Sequence, residues 1–373
     1  MKIGFDAKRA FLNNTGLGNY SRDTIRILSN HFPNNEYYLY TPKINTKPRL
    51  SFIDNQGNTL IHTPKSLLDK ISKSYWRNKS IVKDLHDHKI NIYHGLSNEL
   101  PIGIENTSIK TIVTIHDLIF IRYPHLFKTI DRKIYYYKSK SACERANKII
   151  AISNQTKKDI IEFLNIPAEK IEVVYQGCNQ VFQQQYPNEK KQFVITKHNI
   201  PEKYLLYVGT IEERKNLLTL LKVLKKLTNQ KLVVIGNGGS YKIKCEKFIQ
   251  KNKLSKRVLF LNNLSIEEIA VIYQSAEIMI YPSIFEGFGI PILESLFSKT
   301  PVITSKGGCF CETGGTHSKY VNPLSVLEIK EAILEIQNSV ELQNNMKEKG
   351  FEYAQKFTSN NIANNLMNIY TNL

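Results

Sequence analysis

The chain has 373 residues, enough for two domains of ordinary size that each bury their own core. Hydrophobic content of 42% and charged content of 23% describe a globular protein, and 51 Lys and Arg against 33 Asp and Glu leave a formal net charge of +18. That charge asks for an anionic partner, whether nucleic acid, an acidic membrane surface or a phosphorylated substrate. No apolar run approaches the roughly 20 residues of a membrane span. The opening Met1-Lys2-Ile3-Gly4-Phe5 lacks a signal peptide's hydrophobic stretch. Of the five cysteines only Cys309 and Cys311 are close, and neither a second pair nor a His cluster completes a zinc site. The expected setting is cytoplasmic, with reduced thiols.

In chain order, residues 3–5 read as a first strand. A loop with Gly16-Leu17-Gly18 follows, then a helix from about 19 to 30 with Ile25, Ile27 and Leu28 on its apolar face. Gly-x-Gly between a first strand and a helix has the position of a phosphate-approaching loop in a doubly wound domain. Further strands at 37–41, 91–94, 110–115, 148–152 and 171–175 alternate with helical patterns, so the sheet is open and parallel. Residues 65–89 carry seven Lys and Arg against three Asp, interleaved with Leu67, Leu68, Ile71, Tyr75 and Trp76. Such a stretch fits an anionic membrane surface or a solvated helix face covering the core. A second basic stretch, 128–148, contains Tyr135-Tyr136-Tyr137 and reads as a long helix flanking an acceptor cleft.

Thr114-Ile115-His116-Asp117 ends an apolar strand. Ligands of open α/β sheets bind outside the carboxyl ends of strands, so His116 is placed for chemistry and Asp117 for orienting a loop or the imidazole. Ile152-Ser153-Asn154-Gln155-Thr156 is a helix-cap pattern. The polar run 183–201 marks a linker. A strand at 204–208 opens the second domain and ends in Gly209-Thr210-Ile211-Glu212-Glu213-Arg214-Lys215-Asn216, ahead of a helix at 217–227. Two cations before a helix N-terminus oppose its dipole unless an anion lies between, which points to a diphosphate. Strands follow at 232–235, 258–261, 278–281 and 302–304. The first of these ends in Gly236-Asn237-Gly238-Gly239, a loop on the nucleotide side. After the third, Glu286 and Glu294 surround a Gly287-Phe288-Gly289 turn, with Pro291 at the start of a helix. Glycines that let the backbone approach an anion, followed by unpaired helix N–H groups, make a phosphate-binding arrangement. Glu286 is expected in the turn and Glu294 in the helix's first turn, both aimed at one crevice.

Glu-x7-Glu around this Gly-Phe-Gly resembles the signature of retaining GT-B glycosyltransferases of family 4. The glycine loop, Thr-Ile-His-Asp, Ile-Ser-Asn-Gln-Thr and the Arg-Lys segment fall in that family's order, so the resemblance covers essentially the whole chain. The loop 305–315 matches only at Glu312 and Gly314, departing with Cys309, Cys311 and a missing Pro. The resemblance implies an α/β, GT-B fold of two doubly wound Rossmann-like domains facing across a cleft. An acceptor-binding domain would span 1–190, a nucleotide-sugar domain 200–356, and a helix at 357–373 would cross back to the first. It implies that Gly16 and Gly18 close over the donor diphosphate and that His116 reaches the reacting sugar. Arg214 and Lys215 would neutralise the leaving diphosphate together with Gly209 and the amides of Gly287, Phe288 and Gly289. Glu286 would lie near the sugar and Glu294 at the ribose hydroxyls.

The chain has no Asp-x-Asp, so no metal and no further cofactor is expected, and those cations would carry the charge. The resemblance implies retention of anomeric configuration, and with no hydrolase-like carboxylate pair in the chain the expected route to it is same-face displacement. Gly4-Phe5-Asp6-Ala7-Lys8 and Gly16-Leu17-Gly18-Asn19-Tyr20 resemble bacterial polysaccharide-assembly mannosyltransferases, implying GDP-mannose, with UDP-sugars as the alternative donors. The acceptor would be a glycan or lipid-linked glycan, with peripheral contact at the cytoplasmic face of the inner membrane. A GT-B epimerase would lack the Arg-Lys and Glu-x7-Glu combination. A nucleic-acid partner is not expected, because no recognised module is present and the basic residues spread over both domains. A sugar-nucleotide binder without transferase activity remains a competing class.

Overall fold

Two parallel sheets organise the chain. The computed structural model describes residues 1–13, 15–44, 50, 53 and 57–373. The chain divides into two compact units, one of Met1–Gly177 with Phe357–Leu373, the other of Cys178–Lys356.

In the first unit the described strands are β1 (Lys2–Asp6), β2 (Glu36–Tyr40), β3 (Thr59–His62), β4 (Ile92–Gly95), β5 (Lys110–Ile115), β6 (Lys148–Ala151) and β7 (Ile171–Val173). They lie parallel in the order β3-β2-β1-β4-β5-β6-β7. β4 is buried along its length and β5 from Thr111 onward, as a parallel sheet flanked by helices requires. Chain order reverses between β1 and β4, which makes their carboxyl ends the switch point where such sheets bind ligands. β3 is absent from the sequence reading because it is an edge strand with Leu60 and Ile61 exposed, and carries no buried apolar run.

The helix Gly16–His31 begins at Gly16, so the glycines expected in a loop form its first turn. The Asn13 carboxamide oxygen accepts from the Thr15 and Gly18 amides and starts that turn. A Cβ on Gly18 would lie 2.0 Å from the Asn13 carbonyl oxygen, so only glycine fits. The helix Ser359–Thr371 packs on Gly16–His31, burying Ile362, Leu366 and Tyr370. The Tyr370 hydroxyl is hydrogen-bonded to His94 Nδ1 at 2.6 Å, and His94 Nε2 to Thr114 Oγ1 at 2.8 Å. Burial lowers the His94 pKa to about 3, so this imidazole is a neutral strut.

The second unit contains β8 (Leu205–Val208), β9 (Leu232–Ile235), β10 (Val258–Leu261), β11 (Ile278–Tyr281), β12 (Val302–Ser305) and β13 (Lys319–Val321). They are parallel, in the order β10-β9-β8-β11-β12-β13, with the switch point between β8 and β11. The segment expected as a linker instead contains the helix Asn188–Lys197, packed on the helix Ile266–Ser275. Val194 and Ile200 are buried there, and Lys197 and His198 both reach Glu268 Oε1, at 2.7 and 2.9 Å. Tyr186, Val194 and Ile200 are the buried apolar residues of this otherwise polar run, and their spacing shows no helical period, which is why composition misled. Residues 309–314, expected as part of a loop, form the short helix Cys309–Gly314. Among the described residues no helix is long and apolar enough to cross a membrane.

Candidate active site

The loops at the carboxyl ends of β8 and β9 lie backbone against backbone. Gly209 has φ +145° and Gly236 φ +152°, and a Cβ on Gly236 would lie 1.9 Å from the Gly209 carbonyl oxygen. The Ile211 amide donates to the Asn237 carbonyl at 2.8 Å, and a Cβ on Gly238 would lie 2.2 Å from the Ile211 oxygen. This abutment fixes the loop that carries Arg214 and Lys215. The two cations occupy a single helical turn, Glu213–Lys215, and Asn216 in the left-handed region leads into the helix Leu217–Lys226. Asn216 is held by donating to the Pro323 carbonyl at 2.6 Å and accepting from Thr219 Oγ1 at 2.7 Å.

Arg214 and Lys215 face Glu286, which follows β11 across the switch point. Glu286 Oε1 lies 2.7 Å from Arg214 Nη1 and 3.0 Å from Lys215 Nζ. It also accepts from the Tyr281 hydroxyl at 2.8 Å and the Ser283 hydroxyl at 2.7 Å. Lys215 Nζ donates to the Tyr281 oxygen at 2.7 Å, and Arg214 Nη2 to Glu212 Oε1 at 2.6 Å. The side chains of Arg214, Lys215 and Glu286 are only 15, 12 and 12% exposed. Burial alone would raise the Glu286 pKa, but Lys215 and Arg214 outweigh it and hold the carboxyl at about 2. The anion that the cation pair requires is here this carboxylate.

The Gly287-Phe288-Gly289 turn is clamped by the helix Cys309–Gly314. The Cys309 thiol donates to the Glu286 carbonyl at 3.1 Å and Thr313 Oγ1 to the Phe288 carbonyl at 2.6 Å. Gly289, at φ +102°, caps the helix Ile290–Phe297 in a conformation that other residues rarely adopt. Glu294 is the fifth residue of that helix, in its second turn rather than the first as expected. Its Oε2 accepts from the Tyr273 hydroxyl at 2.9 Å. Burial raises its pKa to about 7, opposed by the Tyr273 hydrogen bond and by the charge of Lys215. The charge of Lys215 thus acts on both glutamates.

In the first unit His116 is buried beyond the end of β5. Its Nε2 is hydrogen-bonded to the Leu96 carbonyl at 2.8 Å, and its ring meets the edge of Tyr20 at 4.6 Å between centroids. Burial lowers its pKa to about 4, so near neutral pH the imidazole is uncharged, Nε2–H donates to Leu96, and Nδ1 carries a lone pair. Tyr20 belongs to the helix that begins at Gly16, and its hydroxyl is hydrogen-bonded to Thr114 Oγ1 at 3.0 Å. Around Gly16 a Cβ would meet nothing within 4 Å, and Thr15 places no side-chain cap on the helix. Packing therefore explains Gly18 but not Gly16. Asp117 Oδ1 accepts from the Ile119 amide at 3.2 Å, a turn role as expected.

Sequence reasoning missed a network at the first unit's switch point. Arg77 Nε reaches both carboxylate oxygens of Asp6 at 3.1 Å, and its Nη1 pairs with Glu99, which also accepts from Lys138 at 3.3 Å. Asp6 lies at the carboxyl end of β1, so the switch-point rule would have found it, but Arg77 and Glu99 had no local signal. Tyr273, Tyr281, Ser283, Cys309 and Thr313 were missed likewise.

Two doubly wound parallel units, one with a buried cation pair at its switch point, define a two-unit α/β protein. The model described as glycosyl transferases group 1 matches residues 188–353, and that of glycosyltransferase family 4 matches residues 16–180. The chain belongs to this family. It is 26% identical over 387 residues to O-antigen chain mannosyltransferase B of Escherichia coli, covering 99% of each chain. It is 30% identical over 212 residues to O-antigen chain mannosyltransferase RfbU of Salmonella typhimurium, a match spanning 57% of this chain and 56% of that one. Among solved structures, Anabaena Alr3699/HepE in complex with UDP-glucose superposes with a TM-score of 0.79 at 15% identity over the whole of both chains. WaaG, a glycosyltransferase involved in lipopolysaccharide biosynthesis, superposes with a TM-score of 0.73 at 16% identity over 99% of each. The fold is GT-B.

Proposed function

We propose that the chain transfers mannose from GDP-mannose, with retention of configuration, to a glycan or lipid-linked glycan of a cell-surface polysaccharide. The observation that carries this reading is the convergence of Arg214 and Lys215 on Glu286 at the β8–β11 switch point. The names of the two O-antigen relatives support mannose and the class of acceptor. HepE, whose structures hold UDP and UDP-glucose, supports a UDP-sugar as the second reading.

The bond that breaks joins the anomeric carbon to the diphosphate oxygen, and its electron pair moves onto that oxygen. Arg214 and Lys215 face the charge as it grows, in a site dry enough for each to count for more than in water, and no step needs a metal. Glu286, released from part of its cation pairing, accepts hydroxyls of the sugar. The amides of Gly287 to Gly289 and the helix behind them add donors to the anion. Glu294, once ionised, accepts the ribose hydroxyls. Gly16 leaves room for the diphosphate, and the Nδ1 lone pair of His116 accepts a sugar hydroxyl. The acceptor hydroxyl attacks from the face the diphosphate leaves, and its proton passes to the departing phosphate oxygen.

The test is thermal stabilisation by GDP, UDP, ADP and dTDP in the presence of a chelator, followed by donor turnover. A nucleotide at ~100 times its dissociation constant adds about 2.7 kcal/mol of stability. One base should stand out, and the anomer of the product, read by NMR, should match the donor. No shift with any nucleotide overturns the transferase reading, and an inverted anomer overturns retention.

A further inference from the structure

Each unit places two consecutive cations after its first strand. In the second unit they are Arg214 and Lys215, and Glu286 neutralises them. In the first they are Lys8 and Arg9, which open the short helix Lys8–Leu12 directly after β1. Among the described residues neither side chain has a hydrogen bond or an ion pair, and the buried Arg9 Nε–H donates to nothing. The acids at this switch point are already engaged. Asp6, at the end of β1, takes both oxygens to Arg77 Nε at 3.1 Å, and Glu99 is shared by Arg77 and Lys138. Trp76 holds Arg77 in place, being buried and donating its indole N–H to Asp84 at 2.7 Å. Burial and the charge of Arg77 hold the Lys8 pKa below its ordinary value, against the pull of Glu99, and Arg9 adds to the effect. Arg9 also acts on His116, whose pKa its charge helps to lower.

The loop at the end of β4, the strand beside β1 across the switch point, adds a second orphan. Ser97 is only 6% exposed and its hydroxyl has no partner. Both neighbours of Ser97 are fixed. The Leu96 carbonyl accepts from His116 Nε2 at 2.8 Å, and the Asn98 amide donates to the Thr114 carbonyl at 3.0 Å. A buried polar group without a partner is costly and rare in a folded protein. Here two of them accompany two unneutralised cations at the carboxyl ends of adjacent strands.

We infer that the first unit's switch point binds an anionic group of the acceptor, a sugar carboxylate or a phosphate, with Lys8 and Arg9 as counter-charges and Ser97 as a further donor. Calling the bound molecule the acceptor rests on the transferase reading above. In that reading the donor's diphosphate meets Arg214 and Lys215 in the second unit, so an anion at Lys8 and Arg9 belongs to the other substrate. Arg9 bears on His116, which faces the reacting sugar, so the charged group of the acceptor lies close to the hydroxyl that reacts. The guanidinium offers either oxyanion directional, charge-assisted hydrogen bonds, and the ammonium of Lys8 adds a point charge. A neutral glycan at the same place would cover both cations and give them no counter-charge, which costs more than leaving them to water. The arrangement therefore selects acidic acceptors and rejects neutral ones of the same shape.

The full chain is titrated at constant ionic strength with methyl glucuronide, mannose 6-phosphate and neutral methyl mannoside, and binding is read by ligand-observed NMR. At least one of the two acids should bind about tenfold or more tighter than the neutral sugar. Which of them does so tells a carboxylate from a phosphate. Arg9→Gln and Lys8→Gln should each abolish the preference, and Ser97→Ala should weaken it. Because these cations repel each other and pair with no described residue, both glutamine variants should melt no lower than wild type. Equal binding of acidic and neutral sugars, or a glutamine variant that keeps the preference, would overturn the site. A glutamine variant that melts well below wild type would make the cation a support of the fold and overturn it too. The nucleotide-induced melting shift should be unchanged in Arg9→Gln; its loss there would assign the cation to the donor. In the wild type, the acid preference absent with that shift intact sinks the anion site alone. The shift absent with the preference intact sinks the transferase reading alone.

Discussion

Replacing Glu294 by Gln should make the protein more stable above neutral pH while weakening its nucleotide site. In the fold, burial keeps this carboxyl protonated until about pH 7, whereas in the unfolded chain it ionises near 4.5. Between those values the unfolded chain has lost the proton and the native chain has kept it. The stability that the carboxyl contributes is therefore complete below pH 4.5 and falls away as pH rises to 7. At 1.36 kcal/mol per pH unit the interval amounts to about 3 kcal/mol. Glutamine keeps an oxygen for the Tyr273 hydroxyl and cannot ionise, so it escapes this loss. Calorimetry of both proteins from pH 4.5 to about pH 8 should show equal melting temperatures at the acid end. At the alkaline end the variant should melt higher, at roughly 2–4 °C per kcal/mol for a unit of this size. In parallel, nucleotide affinity of the wild type should rise through pH 7 as the carboxylate forms, while the variant's stays flat and weak. A melting difference of constant size at every pH, or wild type the more stable at pH 8, would refute the argument.

Other outcomes follow from the same geometry. Arg214→Ala and Lys215→Ala should each lower kcat by about 10²–10³, read in single turnovers of the donor. Each should also cost about 3 kcal/mol in urea unfolding, because Glu286 keeps its buried charge with one cation fewer; wild-type turnover in either variant counts against the assigned charge. Gly236→Ala drives a Cβ into the Gly209 carbonyl at 1.9 Å, so it should lower stability by more than about 2 kcal/mol. A variant that melts with the wild type would show that the two loops do not abut. Thr313→Val removes the hydroxyl held by the Phe288 carbonyl, at about 1–2 kcal/mol, and should weaken nucleotide-induced stabilisation by loosening the glycine turn. Full nucleotide response in that variant would deny the short helix its clamping role.

What could be read beforehand divides along physical lines. Runs such as Leu232–Ile235 and Ile278–Tyr281 were legible as strands because both faces of a parallel sheet are covered and every residue is buried. β3 and β13 were not, since each shows a partly exposed face and a short run. The glycines at 16 and 18 were legible as special, but only the position of the Asn13 carbonyl separates the one that packing requires from the one it does not. Arg214, Lys215 and Glu286 were legible as a set because each lies between the end of a strand and the start of the next α-helix. Their supports were not. Cys309 and Thr313 act on carbonyls more than twenty residues away, and neither position carries a local pattern that announces it.

The first unit is built from two pieces of chain, the second from one. A ribosome making this protein therefore releases residues 178–356 whole before it releases the helix Ser359–Thr371 that finishes the unit begun first. Until then the groove on Gly16–His31 lies open, and His94 at the centre of the sheet has no Tyr370 hydroxyl on its Nδ1. The second unit can mature during synthesis, while the first must wait, partly formed and with apolar surface showing, for this helix to arrive. Order of completion thus runs opposite to order of synthesis. Nonsense or frameshift lesions near residue 360 should then strike hardest at the amino-terminal half of the protein, far along the chain from the lesion itself.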